Sequence, residues 1–319
     1  MFTALIPTRA GAAPTDPPST GGVGIRLLEA PVALQDDPRA QSYIIDNLPP
    51  GTELTRRIEV SNTGDTSRDI SVYPGAATIS DAGGFEVGDG AAVNELTTWM
   101  SLTPSEVTLA PGEAAEVTAT IKVPADAPEG EQYAVVWAQI AGEQTAAGIQ
   151  SVSRAGIRTY LSVGPGNGPP AGFDIVELTG TRGKSGAPQV SATVTNTGGR
   201  AIDPAGTLTL TDGPGGISAA PVTGSGPSIA PGKTGSIIFV LDPALPSGPW
   251  KADVEVKSGL VTESRSGSLT FPDEGTTTAM LDSTESDGIP AWGWAAITGA
   301  IALVAGIGTA IVLVRRKVT

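Results

Sequence analysis

Val60-Ser61-Asn62-Thr63-Gly64 is matched by Val194-Thr195-Asn196-Thr197-Gly198, and Leu109-Ala110-Pro111-Gly112-Glu113 is matched by Ile229-Ala230-Pro231-Gly232-Lys233. These two pairs decide the fold. Asn-Thr-Gly supplies a turn at the end of a β-rich run. Pro-Gly sets φ near about −65° and then admits a positive φ, as a type II turn requires. Each Ala-Pro-Gly turn leads into a further β-rich run. A third pair follows, Pro128-Glu129-Gly130 before Tyr133 and Pro246-Ser247-Gly248 before Trp250. The same signals in the same order mark a divergent repeat. Strands spaced by roughly ten residues with turns between them indicate one β-sandwich per copy.

Between the turns the periodicity is two. Val117, Ala119, Ile121 and Val123 alternate with Thr118, Thr120 and Lys122, as on a half-buried strand. Gln132 to Ile140 is more densely apolar, as expected of a central strand. The first unit is expected over 23–164 and the second over 173–272. The Gly- and Pro-rich stretch 165–172 reads as a linker. Residues 273–290, rich in Thr, Ser and acidic groups, read as a disordered stalk.

Both ends carry addresses. From Ala291 to Val314 there is no charged residue, and the chain then closes on Arg315, Arg316, Lys317, Val318 and Thr319. Helical residues rise about 1.5 Å each, so this stretch spans roughly 36 Å, enough for a hydrocarbon core of about 30 Å. A single transmembrane helix is expected over 291–314. The basic cluster places the tail 315–319 in the cytoplasm and everything before it outside. Trp292 and Trp294 then fall at the outer membrane interface, and Arg315, Arg316 and Lys317 at the inner one. Residues 1–22 read as a signal-peptide remnant and disordered lead-in. Ala10-Gly11-Ala12 fits a small-x-small cleavage site, but Met1 to Pro7 lacks a basic n-region, so the true start is expected upstream.

Composition limits the chemistry. The 319 residues contain no cysteine and no histidine, and the net charge is −14. Setting aside the three basic residues of the tail leaves the remainder at −17. Such a chain is a poor nucleic-acid binder, because phosphate contacts need clustered Lys and Arg. Without histidine there is no Ser-His or Cys-His nucleophile pair and no usual zinc site. The absence of cysteine in an exported chain leans towards a bacterial surface protein. No Asp-x-Asp-x-Asp-Gly calcium loop and no Ser-x-x-Lys motif occurs, so no metal, cofactor or catalytic residue is assigned.

In the first unit the residues form a more particular pattern. It runs Tyr43-Ile44-Ile45-Asp46-Asn47-Leu48-Pro49-Pro50-Gly51-Thr52, then Ile58-Glu59-Val60-Ser61-Asn62-Thr63-Gly64 and Trp99-Met100-Ser101-Leu102-Thr103-Pro104. Val107-Thr108-Leu109-Ala110-Pro111-Gly112 and Val123-Pro124-Ala125-Asp126-Ala127-Pro128 complete it. This resembles the extracellular peptidoglycan-binding domain of WxL-interacting proteins of Gram-positive bacteria, in an actinobacterial form. The resemblance implies tandem Ig-like β-sandwiches, a C-terminal membrane helix, and binding of peptidoglycan or presentation of WxL-type surface proteins.

Trp99, Tyr133 and Trp137 are the candidate glycan contacts, since exposed aromatic rings stack on sugars. The competing reading is structural. Tyr133, Val135 and Trp137 share one strand face by period two, which is how a sandwich core is filled.

The sequence therefore leads to an all-β protein of two tandem Ig-like sandwiches followed by one transmembrane α-helix. The expected function is non-enzymatic. A membrane-anchored cell-surface scaffold would bind peptidoglycan or another cell-wall polymer, or present WxL-type proteins, with the lipid bilayer as its other partner. An adhesin or receptor-like surface protein is the alternative, and a carboxylate-based wall hydrolase a distant one.

Overall fold

Alternating apolar and polar residues become paired strands throughout the computed structural model, which describes residues 22–144, 150–166, 168–183 and 187–282. Among the described residues the fold is all-β, with two short α-helices, α1 (Pro38–Ser42) and α2 (Glu95–Trp99). Each helix starts on a side-chain cap: Asp37 accepts from the Arg39 N–H, and Asn94 forms a capping box with Thr97.

The first sandwich contains β1 (Val23–Leu27), β2 (Ile44–Leu48), β3 (Glu53–Asn62), β4 (Arg68–Ile79) and β5 (Phe85–Val87). It continues with β6 (Met100–Thr103), β7 (Glu106–Leu109), β8 (Ala114–Lys122), β9 (Gly130–Gln144) and β10 (Gln150–Val163). One sheet has the order β1-β3-β8-β6. The facing sheet has the order β2-β10-β9-β4-β5, with β7 also on β4. Val117, Ala119, Ile121 and Val123 all point inward, as their alternation requires, and meet Ile58, Val60 and Ile70 in the core.

The second sandwich contains β11 (Phe173–Arg182), β12 (Pro188–Asn196), β13 (Ala205–Thr211) and β14 (Val222–Ser225). It continues with β15 (Thr234–Val240), β16 (Gly248–Ser258), β17 (Val261–Phe271) and β18 (Gly275–Thr278). Its sheets run β15-β12-β11-β18 and β14-β13-β16-β17-β19, where β19 is Met280–Leu281. Phe239, Trp250 and Phe271 fill its core. The strand β18 takes up the first part of the stretch expected as a stalk over 273–290, of which 283–290 lie outside the described residues. Thr276, Thr277 and Thr278 pair with Thr181, Gly180 and Thr179 of β11. Their β-branched side chains suit a sheet edge, although composition alone reads as a polar tether.

The repeated motifs perform one structural task twice. Asn62 is almost fully buried. Its amide nitrogen donates to the carbonyls of Thr66 (2.7 Å) and Leu109 (3.0 Å), and its Oδ1 accepts from the Gly64 N–H (2.9 Å). Its backbone N–H donates to Glu113, and its carbonyl accepts from Gly112. Asn196 repeats the set. Its Nδ2 donates to Arg200 (2.8 Å) and Ile229 (2.9 Å), its Oδ1 accepts from Gly198 (3.0 Å), and its backbone bonds Lys233 and Gly232. Each asparagine thus ties the Asn-Thr-Gly turn to the Ala-Pro-Gly turn. Gly112 (φ 75°) and Gly232 (φ 72°) occupy the position after proline, as in a type II turn.

One expectation changes, and another lies outside the described residues. The core-facing residues of β9 are Ala134, Val136, Ala138 and Ile140. Tyr133, Val135 and Trp137 therefore occupy the opposite, outer face. Gln132 to Ile140 is apolar on both parities, so hydrophobicity alone leaves the face open. The other concerns the membrane. The expected helix at 291–314, with Trp292, Trp294, Arg315, Arg316 and Lys317, lies outside the described residues. Among the described residues no helix is long and apolar enough to cross a membrane.

Replacing Asn62 or Asn196 with alanine strands two buried carbonyls and one N–H. Each variant should lose about 1–3 kcal/mol of stability in urea unfolding. A loss under about 0.5 kcal/mol for either would show that the turns hold without the amide.

Candidate functional site

The outer face of β9 and β10 is unusually aromatic for a sandwich exterior. Tyr133 and Tyr160 are direct cross-strand partners. Their rings meet edge to face with centroids 5.9 Å apart, and Tyr43 and Phe85 lie 5.8 and 5.3 Å from Tyr160. Tyr160 is fully buried, because the second sandwich covers this face through Ala201. Tyrosine suits such a place: its ring is buried while its hydroxyl finds a polar partner.

Charged groups seal the seam. Arg39 Nε donates to Asp203 Oδ2 (2.7 Å), its Nη1 donates to the Ala201 carbonyl (3.0 Å), and its guanidinium lies 5.0 Å above the Tyr160 ring. From the other side, Glu131 Oε2 accepts from the Ala201 N–H (2.6 Å) and from the Tyr133 hydroxyl (2.7 Å). Arg158 lies over the Phe85 and Tyr43 rings and donates to Ser228 Oγ (3.3 Å). Ser228 in turn donates to Asp203. The tip of the β4–β5 hairpin adds a clasp: Gly84 N–H donates to the Ser228 carbonyl (2.7 Å), and Asp81 pairs with Lys233 (2.6 Å). Burial raises the Glu131 carboxyl above its ordinary 4.5, against the opposing pull of its two donors. Burial, reinforced by Glu131, also raises the Tyr133 phenol. Most of these groups have partners, Arg39 Nη2 being buried without one, and disruption would leave charges buried without partners.

Beside the seam β10 changes character. From Thr159 to Val163 it pairs on both sides, with β9 and, in parallel, with Ile44 to Leu48 of β2. From Gln150 to Arg158 it pairs with β9 alone among the described residues. Ser151, Val152, Ser153, Arg154 and Gly156 are exposed along this length. The strand β1, terminal in the opposite sheet, lies beside β10, and its Val23, Ile25 and Leu27 are only partly buried. On the outer face Trp137 lies flat across the sheet. A Cβ on Gly156 would come 2.7 Å from the benzo carbons of the indole, and one on Gly75 would come 2.7 Å from Nε1. Arg154 stacks 5.2 Å from the Trp137 ring.

The three aromatic candidates do not converge. Trp99 ends α2 inside the core, Tyr133 is in the seam, and Trp137 is half-buried on the outer face. Sequence reasoning missed Arg39, Glu131, Arg158, Asp203 and Ser228, which come from distant segments with no shared motif. Among the described residues no group of three potential ligands that could hold a metal ion occurs. An apolar groove of about 300 Å³ in the second sandwich, beside Ile217, Leu245 and Trp250, gathers no set of reactive groups.

No family model and no curated protein matches the sequence. Solved structures do align with it. The YadV chaperone is 12% identical with a TM-score of 0.39, over 80% of this chain and 98% of that one. A chain of the Salmonella enterica SafA pilin–SafB chaperone complex is 12% identical with a TM-score of 0.39, over 84% and 97%. A chain of the CsuC–CsuE chaperone–tip adhesion subunit complex from Acinetobacter baumannii is 13% identical with a TM-score of 0.37, over 70% and 94%.

These findings correct the reading as a WxL-interacting protein. All three of these chains come from chaperone or chaperone–subunit structures. The expected wall-anchored scaffold or adhesin, its peptidoglycan, WxL-protein and bilayer partners, and its placement at a Gram-positive membrane fall with that reading. The shared turn motifs belong to sandwiches generally.

The seam gives a pH test. A carboxyl raised on folding favours the native state when protonated. That contribution is complete below about pH 4.5 and is lost as pH rises through the raised value. Glu131→Gln, neutral throughout, should be more stable than the parent near pH 7 and close to it near pH 4 in urea unfolding. A variant less stable near pH 7 would show that the ionised carboxylate is the favoured partner of Tyr133 and Ala201.

Proposed function

We propose that this chain is a non-catalytic binding protein that takes an extended segment of another polypeptide as an added strand along the free edge of β10. The observation that carries the reading is the one-sided pairing of Gln150–Arg158. A strand edge presents a row of unpaired N–H and C=O groups, and these are a template for another chain. The terminal strands of both sandwiches, β1, β2, β5, β6, β14, β15, β18 and β19, are all shorter. Main-chain bonds supply most of the affinity in this mode, so it asks for no catalytic group, metal or cofactor.

In this reading the sandwiches divide the work. The first, within 23–164, carries the edge. The second, within 173–272, buttresses the outer face beside it. Tyr160 and Arg158 on β10 are held by Arg39, Asp203 and Ser228, so the accepting strand is fixed before the partner arrives. A rigid template loses less entropy on binding. Where β2 joins β10 at Ile44, the open edge ends, which limits the added segment to the stretch before Thr159. Pilin and tip subunits, the partners named in the two aligned complexes, are among the polypeptides this mode admits, and the reading does not depend on them.

The test is hydrogen exchange of the full chain with the tightest binders from a displayed random 12-residue peptide library. Protection concentrated on the amides of 151–158 is expected. Protection confined to other strands, or a library without saturable binders, would overturn the reading.

A further inference from the structure

The free edge has a chemical pattern as well as hydrogen-bonding groups, and that pattern selects the segment it accepts. Because Ile157 points into the core, Val152, Arg154 and Gly156 stand on the outer face by period two. Val152 is 48% exposed. Arg154 is exposed and held over Trp137. Gly156 offers no side chain, and the benzo edge of Trp137 fills the space above it. Residues directly opposite each other on paired strands share a face and touch. A strand added here would therefore meet, in order, an apolar surface, a cation and an indole edge over a glycine.

We infer that the preferred partner is an extended segment that adds parallel to β10, as β2 does on the same edge, and reads apolar–x–acidic–x–aromatic on the face it shares with Val152, Arg154 and Gly156. The acidic residue sits opposite Arg154. The aromatic residue stands opposite Gly156 and packs against the edge of Trp137 that covers the glycine. The apolar residue covers Val152. The intervening residues turn towards the core side, beside Ala155. Arg154 does more here than guard an edge against aggregation. A guanidinium stacked on an indole is pre-oriented, so it pairs with a carboxylate at a smaller loss of freedom than a free side chain. Arg158 does not share this task, because Ser228, Phe85 and Tyr43 already hold it.

This inference rests on strand addition at β10, and its test separates the two. Three capped peptides would be used, identical except at the centre: Val-Thr-Asp-Thr-Phe, Val-Thr-Asn-Thr-Phe and Val-Thr-Lys-Thr-Phe, each flanked by threonines. Affinity for the full chain would be measured by titration, and the contact mapped by exchange of the amides 151–157. The Asp peptide should bind about fivefold more tightly than the Lys peptide, with Asn between. Arg154→Glu, an exposed change, should reverse the order while leaving unfolding unchanged. Equal binding of all three with β10 protected, or an order unmoved by Arg154→Glu, would overturn the specificity and leave strand addition standing. No protection of 151–157 by any peptide would overturn both.

Discussion

A strand must satisfy the hydrogen-bonding groups on both of its edges, and among the described residues β10 does so from Val152 to Val163 on one edge only. This constraint organises the first sandwich. On one side β9 runs beside β10 from Gly130 to Gln144. On the other, β2 covers only the five positions after Arg158. The paired half is the half pressed against the second sandwich, where Tyr160 and its ring neighbours exclude water. The unpaired half lies beyond it, with Trp137 and Arg154 on one face and the partly buried β1 near the other. Burial and availability thus meet within one strand.

The seam makes that arrangement durable. Arg39, Glu131, Arg158 and Asp203 are drawn from four separate segments, and each has a hydrogen-bond partner across or within the seam. Buried charges of this kind contribute little net stability compared with a well-packed apolar contact, yet removing one partner is expensive. They specify geometry: Ala201 is held from both sides, through its carbonyl by Arg39 and through its N–H by Glu131. The asparagines at the ends of the sandwiches act similarly on the backbone, since a side-chain amide can satisfy two carbonyls and an N–H at one point.

Much of this fold is legible in the sequence, and the illegible parts have physical reasons. The repeat pairs Asn62 with Asn196 and Gly112 with Gly232 because both turns require a particular residue. The alternation from Val117 to Val123 is correct because one face meets the core and the other meets water. Tyr133 and Trp137 defeat the same argument, since both faces of β9 are apolar when its exterior is itself covered. The threonines of β18 read as a tether because a terminal strand is held chiefly by its backbone. The seam residues carry no local signature, since their partners across the seam lie from 70 to 164 positions away. The resemblance to a wall-binding family rested on turns that many sandwiches need, so it reported architecture and misled about the ligand. The polar run Gln150-Ser151-Val152-Ser153-Arg154 was the signal available for an open edge.

The central claim concerns backbone hydrogen bonds between β10 and a second chain, and those bonds have a direct spectroscopic signature. Nitrogen-15-labelled protein with the carbonyl-13-labelled Asp peptide should show through-hydrogen-bond scalar couplings from amide nitrogens within 151–158 to peptide carbonyl carbons. They should recur at every second residue, as a β-ladder requires. Couplings to another strand, or a saturated complex with no such couplings at β10, would contradict the account.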